Sequence, residues 1–137
     1  MSTILAADAD LLRMEAGDGY WYLGTAYTRY PGGLDAAYVI ACRAVARLWD
    51  QGVPCLSPIA MTHGAGTVAG LDLEDPEFWQ WVDAPFVWAA MGLIVLHMDG
   101  WRKSAGLAHE IRAFQGAGKP IVHMQWPGLE VLTEDDA

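Results

Sequence analysis

One carboxylate in the second half of the chain is placed where it could act on a ligand. The pattern over residues 92–124 predicts a buried strand, a turn, a helix and a second buried strand, which together form one βαβ unit. Ligands of open α/β sheets bind beyond the carboxyl ends of the strands, which here means residues 99–106. Glu110 follows at the edge of the helix's predicted sheet-facing stripe, within reach of that region. The alternative is a half-exposed surface glutamate, the commonest fate of Glu on a helix.

A second carboxylate, Asp83, is surrounded in sequence by apolar residues, among them Trp79, Val82 and Phe86. A carboxylate in so apolar a setting needs a partner or has a raised pKa. Asp83 also fits the cap of a helical segment that would begin at Pro85, because Asp is favoured just before a helix. Both interpretations can hold at once.

Hydroxyl groups and one imidazole are the remaining candidates for ligand contact. Thr25 and Tyr27 lie in a polar, glycine-containing loop between a strand and a helix, where backbone N–H groups can meet a polar or anionic ligand. An ordinary strand-to-helix turn is an equally good interpretation, since neither GxGxxG nor GxxxxGK[ST] is present. His63, in a segment predicted to be irregular, could contact a ligand or simply be solvated.

The elements that must position these groups can be read from periodicity and turn residues. Apolar runs predict strands over residues 20–24, 53–57 and 93–96 and from residue 121 onward. Helices are predicted over residues 4–14, over residues 34–51, from Pro76 onward with a kink or break at Pro85, and after a cap at Ser104. Residues 58–74 are predicted to be a long irregular segment. The expected fold is a three-layer, flavodoxin- or Rossmann-like α/β domain with a parallel sheet of about four to five strands and helices on both faces.

Composition narrows the class of protein. The 137 residues suffice for one domain with a sizeable core, and 53% hydrophobic with 18% charged residues excludes a disordered chain. A net charge of −9 disfavours nucleic-acid polymers, although a single nucleotide stays open. No apolar run reaches membrane-spanning length. The first residues carry acids where a secretory signal would carry Lys or Arg. The two cysteines lack the spacing of metal ligands and are predicted to be buried free thiols. A cytoplasmic protein without membrane association is expected.

Three sequence features together resemble the nucleoside 2-deoxyribosyltransferase superfamily, which includes nucleoside deoxyribosyltransferases and 2′-deoxynucleoside 5′-phosphate N-hydrolases. These are YLGTAYT at residues 22–28, Asp83 in the helix before the third strand, and GWxxSxGxxxE at residues 100–110. The resemblance covers residues 20–124 as an α/β domain, with residues 1–19 as an N-terminal extension and residues 125–137 as an acidic tail.

The resemblance implies roles for individual residues. Glu110 matches the nucleophile that attacks the anomeric carbon, Tyr22 the tyrosine that orients it, and Asp83 the acid that contacts the nucleobase and helps it leave. Ser104 matches the serine with which the hydrolase branch holds a 5′-phosphate, whereas the transferase branch has Asp there. The other implied or candidate substrate contacts are Gly24, Thr25, Tyr27, Asp99, Gly100, Trp101, Gly106 and His63.

The implied activity is cleavage of an N-glycosidic bond in a (deoxy)nucleoside or nucleoside 5′-monophosphate through a covalent glycosyl-glutamate. Hydrolysis and base exchange both stay open, and so does a non-catalytic nucleotide-binding module on the same scaffold. An ionised carboxylate against the sugar stabilises an oxocarbenium-like state, and Tyr27 or Trp101 could stack on the base. No cofactor or metal is implied, and the partner is a small nucleoside or nucleotide. Relatives are commonly oligomeric, so a homodimer or higher homo-oligomer is expected, with Trp79, Trp81 and Trp88 as candidate interface residues.

Overall fold

The structure is a computed structural model that describes residues 6–133. The five α-helices of this part of the chain are α1 (Ala6–Ala16), α2 (Leu34–Asp50), α3 (Pro58–Ala69), α4 (Pro76–Ala89) and α5 (Ala105–Gly116). The strands are β1 (Trp21–Gly24), β2 (Cys55–Leu56), β3 (Gly92–His97), β4 (Ile121–Gln125) and β5 (Glu130–Val131). A short 3₁₀ helix, Trp101–Lys103, precedes α5.

The five strands form one sheet in the order β2-β1-β3-β4-β5. The first four strands of that order pair in parallel, and β5 pairs antiparallel with β4 at the edge. This is the α/β fold with a mostly parallel sheet that the sequence predicts, consistent with a three-layer Rossmann-like architecture. The chain runs outward from β1 to β2 and then returns to place β3 on the other side of β1. The carboxyl ends of β1 and β3 therefore form the switch point where such folds bind ligands.

Alternation along β1 assigns its side chains to two cores. Trp21 and Leu23 pack with buried residues of α1 and α2 on one face of the sheet. Tyr22 points to the opposite face, where it packs with Leu107 and Phe114 of α5. The three side chains are fully buried, so a one-residue slip of β1 would place both sets on the wrong face. This register places the Tyr22 hydroxyl under α5.

The prediction of an irregular segment over residues 58–74 is wrong over most of its length, because α3 occupies residues 58–69. The helix has local start and stop signals: the Ser57 side chain accepts from the backbone N–H of Ala60, Pro58 follows the cap, and Gly70 ends the helix in a left-handed conformation. Glycines inside the segment obscured these signals. An added Cβ at Gly66 would lie 2.5 Å from Leu73 Cδ2 and 3.2 Å from the Trp79 ring, so a larger residue there would force these side chains to shift.

The prediction that Pro85 could split the following helix is also wrong, since α4 continues from Pro76 to Ala89 with Pro85 inside it. Asp75 caps α4 and accepts from Phe78 N, as the sequence indicates. Asp83 therefore lies within a helix and is not the cap of a new one. Its carboxylate is left available for another role.

Both ends of the described chain belong to the packed domain. On α1, the side chains of Ala9, Leu12 and Ala16 are buried in the core, and the Trp21 indole donates to Leu12 O. At the carboxyl end, β4 extends to Gln125, one residue beyond the predicted end of the α/β domain, and β5 adds an antiparallel strand at the edge of the sheet. The acidic residues at the extreme carboxyl end, and the first residues of the predicted N-terminal helix, lie outside the described residues.

Within residues 6–133, no helix has the length and apolarity needed to cross a bilayer. The cysteines in this range are free: Cys55 is buried as predicted, whereas Cys42 is only half-buried.

Candidate active site

A cleft of about 430 Å³ lies at the carboxyl end of β1, between α3, α4 and the start of α5. That volume is in the range of small-molecule sites. Its wall combines apolar side chains with a few polar groups, as ligand-binding clefts usually do. Seven of the residues proposed from sequence line it: Tyr22, Thr25, Tyr27, Asp83, Ser104, Gly106 and Glu110.

The Tyr22 hydroxyl donates a hydrogen bond to Oε2 of Glu110. The two residues are 88 positions apart and meet because β1 turns Tyr22 toward the face on which α5 packs. Burial and the neighbouring carboxylates raise the pKa of Tyr22 far above its ordinary value, so the phenol stays a donor. A fully buried tyrosine thus fixes the orientation of one carboxylate oxygen of Glu110.

Asp83 and Thr25 each place a polar atom in the cleft wall without a protein partner. Asp83 Oδ1 and Thr25 Oγ1 are buried, and neither has a hydrogen-bond partner within the described part of the chain. Buried polar atoms are normally hydrogen-bonded, so unpaired ones deserve an explanation. Because both residues line the cleft, a ligand that carries hydrogen-bonding groups would supply the missing partners.

Burial shifts the pKa of both cleft carboxyls upward. Desolvation raises the pKa of Asp83 to about 6. Desolvation, opposed by the Tyr22 hydrogen bond and reinforced by the nearby charge of Asp83, raises the pKa of Glu110 to about 8. Two interacting carboxyls with separated pKa values hold one proton between them over the intervening range. At near-neutral pH the pair therefore holds one proton, and in the free protein that proton lies on Glu110, the carboxyl with the higher pKa.

The first turn of α5 forms one end of the cleft. The Ser104 hydroxyl caps the helix by accepting from Leu107 N at 3.1 Å, as predicted. There is free space around Gly106, because no atom lies within 4 Å of an added Cβ. Arg29 and Lys103 line the same cleft and are exposed. This end thus combines a helix N-terminus with two cations, a combination suited to an anionic group.

Two of the predicted contacts are glycines with a different role. Gly24 does not line the cleft; an added Cβ would lie 2.6 Å from Leu107 Cδ1 and 3.5 Å from Glu110 Oε1. Gly24 therefore lets α5 approach β1 closely enough to place Glu110. Gly100 has a φ of 86° and would place a Cβ 2.3 Å from Arg29 O, so it allows two loops to meet.

Asp99, Trp101 and His63 are not brought into the cleft wall. Asp99 lines a separate, smaller cavity on the other side of the β3–α5 connection. The Trp101 ring stacks on His97 with centroids 3.9 Å apart, which places it away from any base in the cleft. His63 is neither in a loop nor solvated: it is buried in α3, behind Tyr27.

Several cleft residues could not be singled out from the sequence. Trp79 and Gln80 precede Asp83 by four and three positions and therefore share its helix face. That spacing is a usable signal once α4 is accepted as continuous. Thr62 was not identifiable as a site residue because α3 was predicted to be irregular, and the exposed His109 also lines the cleft.

Comparison with known families places this site within a recognised domain. The family model described as "Domain of unknown function (DUF1937)" matches residues 19–126. The chain belongs to the DUF1937 family. No curated protein matches the chain. The DUF1937 match contains every residue of the cleft wall, including Tyr22, Asp83 and Glu110.

The DUF1937 match begins before β1 and ends after β4, so it contains the four parallel strands and the helices that flank the cleft. Helix α1 and strand β5 lie outside the matched range, although both pack on the same sheet. In this DUF1937 domain, no group of three or more metal-ligating side chains is close enough together to hold a metal ion, within the part of the chain that the structure describes.

Proposed function

We propose that this protein cleaves the N-glycosidic bond of a (deoxy)nucleoside or nucleoside 5′-monophosphate, with Glu110 as nucleophile and Asp83 as acid. The observation that carries the proposal is the hydrogen bond from buried Tyr22 to Glu110 in a cleft that also holds Asp83, whose buried Oδ1 has no hydrogen-bond partner among residues 6–133. The sequence resemblance to the nucleoside 2-deoxyribosyltransferase superfamily supplies the reaction class, and the arrangement is compatible with it.

In the first step, a Glu110 carboxylate oxygen attacks the anomeric carbon as the bond from that carbon to the base nitrogen breaks. The bonding electrons leave with the base, which takes a proton from Asp83. The Tyr22 hydroxyl holds Glu110 in position and favours its ionised form. The reaction passes through an oxocarbenium-like state, which a carboxylate against the sugar stabilises.

In the second step, water or another base attacks the same carbon, and the bond to Glu110 breaks. Asp83, now ionised, takes the proton of the attacking water, so the enzyme returns to its starting state. Arg29, Lys103 and the N-terminus of α5 are placed to hold a 5′-phosphate where the substrate has one. Trp79 and Tyr27 line the cleft and offer aromatic surface to the base.

The substrate would then be a small nucleoside or nucleotide, and no nucleic-acid polymer, membrane or cofactor takes part in the proposed reaction. Location in the cytoplasm and assembly into a homo-oligomer belong to the same proposal. Exposed Trp81 and Trp88 on α4 offer an apolar surface for such an assembly.

The test is release of free base from a panel of nucleosides and 5′-monophosphates, measured for the parent protein and for Glu110→Gln. Loss of a covalent nucleophile should lower the rate by about 10³-fold or more. Glu77→Gln is the matched control, because Glu77 lies on α4, is exposed and does not line the cleft. Addition of a second free base separates exchange from hydrolysis. Release by Glu110→Gln at the parental rate would refute the proposed nucleophile.

A non-catalytic nucleotide-binding module is the second candidate, and one observation favours it. Burial raises the pKa of Glu110 to about 8, so its carboxyl holds a proton at neutral pH in the free protein, and a protonated carboxyl is a poor nucleophile. Nucleotide binding without base release or base exchange, for the whole panel, would establish this alternative.

A further inference from the structure

Three side chains from different elements form a hydrogen-bonded chain behind the cleft. Tyr27 is a residue of the cleft wall, and its hydroxyl lies 2.5 Å from Nδ1 of His63. The other ring nitrogen, Nε2, lies 3.0 Å from Oδ1 of Asp35 on α2. Neither His63 nor Asp35 lines the cleft, and neither has a part in the glycosidic chemistry proposed above.

The imidazole in the middle of this chain is held rigidly. Only 5% of His63 is exposed. Its ring stacks on Tyr38 with centroids 4.4 Å apart, and Tyr27 meets it edge-on. Tyr38 covers one ring face and both nitrogens are engaged, Nε2 by the Asp35 carboxylate, whose side chain is 95% exposed.

The carboxylate at the outer end sets the direction of every hydrogen bond in the chain. A carboxylate only accepts, so the proton of the neutral imidazole lies on Nε2 and points to Asp35. Nδ1 then carries a lone pair and accepts from the Tyr27 hydroxyl. Burial raises the pKa of Tyr27 to about 12, so the phenol keeps the proton it donates. Its hydroxyl hydrogen is thereby committed to His63, and only the oxygen lone pairs are left for the cleft.

We propose that Tyr27 determines specificity by presenting a hydrogen-bond acceptor to the cleft, so that it selects ligands with a neutral donor group at that position. This donor is either a sugar hydroxyl or an exocyclic amino group of the base. His63 and Asp35 are positioning residues, which fix this polarity without touching the ligand. The identity of the ligand as a nucleoside rests on the proposed function, whereas the preference for a donor rests on the hydrogen-bond chain.

Equilibrium binding to the Glu110→Gln protein tests this proposal without turnover. The ligands are 2′-deoxyadenosine and its analogues that lack the 3′-hydroxyl, the 5′-hydroxyl or the 6-amino group, studied by calorimetry. One analogue should bind about 10-fold more weakly than the parent nucleoside, and its identity shows whether the donor comes from sugar or base. In Tyr27→Phe this difference should shrink to within about 2-fold, because the acceptor is gone.

Two further variants separate specificity from general damage. Tyr30→Phe removes a hydroxyl from the same loop but outside the cleft, so it should keep the 10-fold difference. His63→Phe retains an aromatic ring for Tyr38 and releases the Tyr27 hydroxyl to donate. A methoxy group can only accept a hydrogen bond. An analogue that carries one at the position identified above should therefore bind His63→Phe more tightly than it binds the protein with His63. A purely structural role of His63 would weaken all ligands by the same factor.

The proposal is overturned if no ligand of the series binds, if all bind equally, or if Tyr27→Phe weakens every ligand alike. These outcomes are separate from the fate of the proposed reaction. Base release without any preference that depends on Tyr27 would retain the glycosidase and refute the acceptor. A preference that depends on Tyr27 without any base release would retain the acceptor and refute the glycosidase.

Discussion

At the scale of single residues, the properties of the site follow from burial. Tyr22, Asp83 and Glu110 lie in an environment that disfavours charge, and each pKa is raised for that reason. Only the Tyr22 hydrogen bond acts in the opposite direction on Glu110. The arrangement therefore yields a carboxyl pair that shares one proton near neutral pH. In the free protein that proton lies on Glu110, and the proposed reaction needs it on Asp83.

The first prediction concerns the pH dependence of base release. Because the reaction needs one proton on the pair, kcat/KM should rise through about pH 6 and fall above about pH 8. In Asp83→Asn only Glu110 titrates, so the weaker remaining activity should rise with pH and then level off. Its midpoint should lie below pH 8, since the Asp83 charge is one cause of the raised pKa of Glu110. Initial rates between about pH 5 and 10 measure both profiles, and a flat parental profile would contradict this assignment.

The second prediction concerns stability. The pKa of Glu110 is about 8 in the folded protein against an ordinary value of 4.5, so between these values the unfolded chain loses a proton that the folded protein keeps. This group therefore lowers the free energy of unfolding as pH rises through that window. Glu110→Gln removes this cost and should be more stable than the parent at pH 8 by about 1 to 2 kcal/mol, after allowance for partial exposure.

Urea unfolding of the parent and of Glu110→Gln at about pH 5 and pH 8 measures how the difference in free energy of unfolding changes with pH. The stabilisation by the variant should be small at the lower pH. An equal difference at both pH values would mean that packing, and not ionisation, distinguishes the variant. A gain of stability on loss of a site residue is the usual sign of a strained functional position.

At the scale of elements, glycines decide how closely helices approach the cleft. Gly24 lets α5 lie against the end of β1, and Gly66 does the same where α3 meets the segment before α4. An added Cβ at Gly66 would lie 2.5 Å from Leu73 Cδ2 and 3.2 Å from the Trp79 ring, and both of these side chains line the cleft. The shape of the cleft therefore depends on how closely α3 packs against Leu73 and Trp79.

The third prediction uses two glycines of α3. Gly66→Ala should lower the free energy of unfolding by about 1 to 3 kcal/mol through overpacking against Leu73 and Trp79. Gly64→Ala should raise it by about 0.5 to 1 kcal/mol, because the nearest atom is the Tyr38 hydroxyl at 3.9 Å and alanine favours the helix. Urea denaturation of the two variants measures this contrast. Equal effects at both positions would show that α3 does not pack as described.

At the scale of the whole molecule, helices cover both faces of the sheet but are buried to different extents. Helices α1 and α2 cover the first face with buried residues. On the other face α4 has no fully buried residue, and Trp81 and Trp88 are 74% and 80% exposed. Large exposed aromatic side chains on one helix are typical of an interaction surface.

The fourth prediction is that the protein forms a homodimer or higher homo-oligomer through this surface, as the sequence resemblance leads us to expect. Sedimentation velocity of the parent should show the assembly, and Trp81→Ser should shift it toward the monomer by at least about 10-fold in dissociation constant. Met14→Ser is the control, because Met14 is 75% exposed on α1, which packs on the opposite sheet face. A monomeric parent, or an equal shift in the control, would contradict the assignment of this surface.

Local signals in the sequence determined the outline of the fold. The apolar run of β3, the Ser104 cap of α5 and the Asp75 cap of α4 act within a few residues of themselves, so their structures could be predicted without tertiary information. The same holds for the order of the other strands and helices, α3 and β5 excepted, and hence for the α/β class. Tyr22, Asp83 and Glu110 were singled out by sequence pattern and resemblance, and the structure brings them to one cleft.

Only the tertiary structure decided which of the remaining candidates meet. The hydrogen bonds from Tyr27 to His63 and from His63 to Asp35 join residues 36 and 28 positions apart, and no local pattern encodes such pairs. The displacement of Trp101 onto His97 and the continuity of α4 through Pro85 likewise depend on neighbours from other elements. Local signals reveal where helices and strands begin and end. Contacts between distant residues depend on how those elements pack, and packing therefore determines the wall of the cleft.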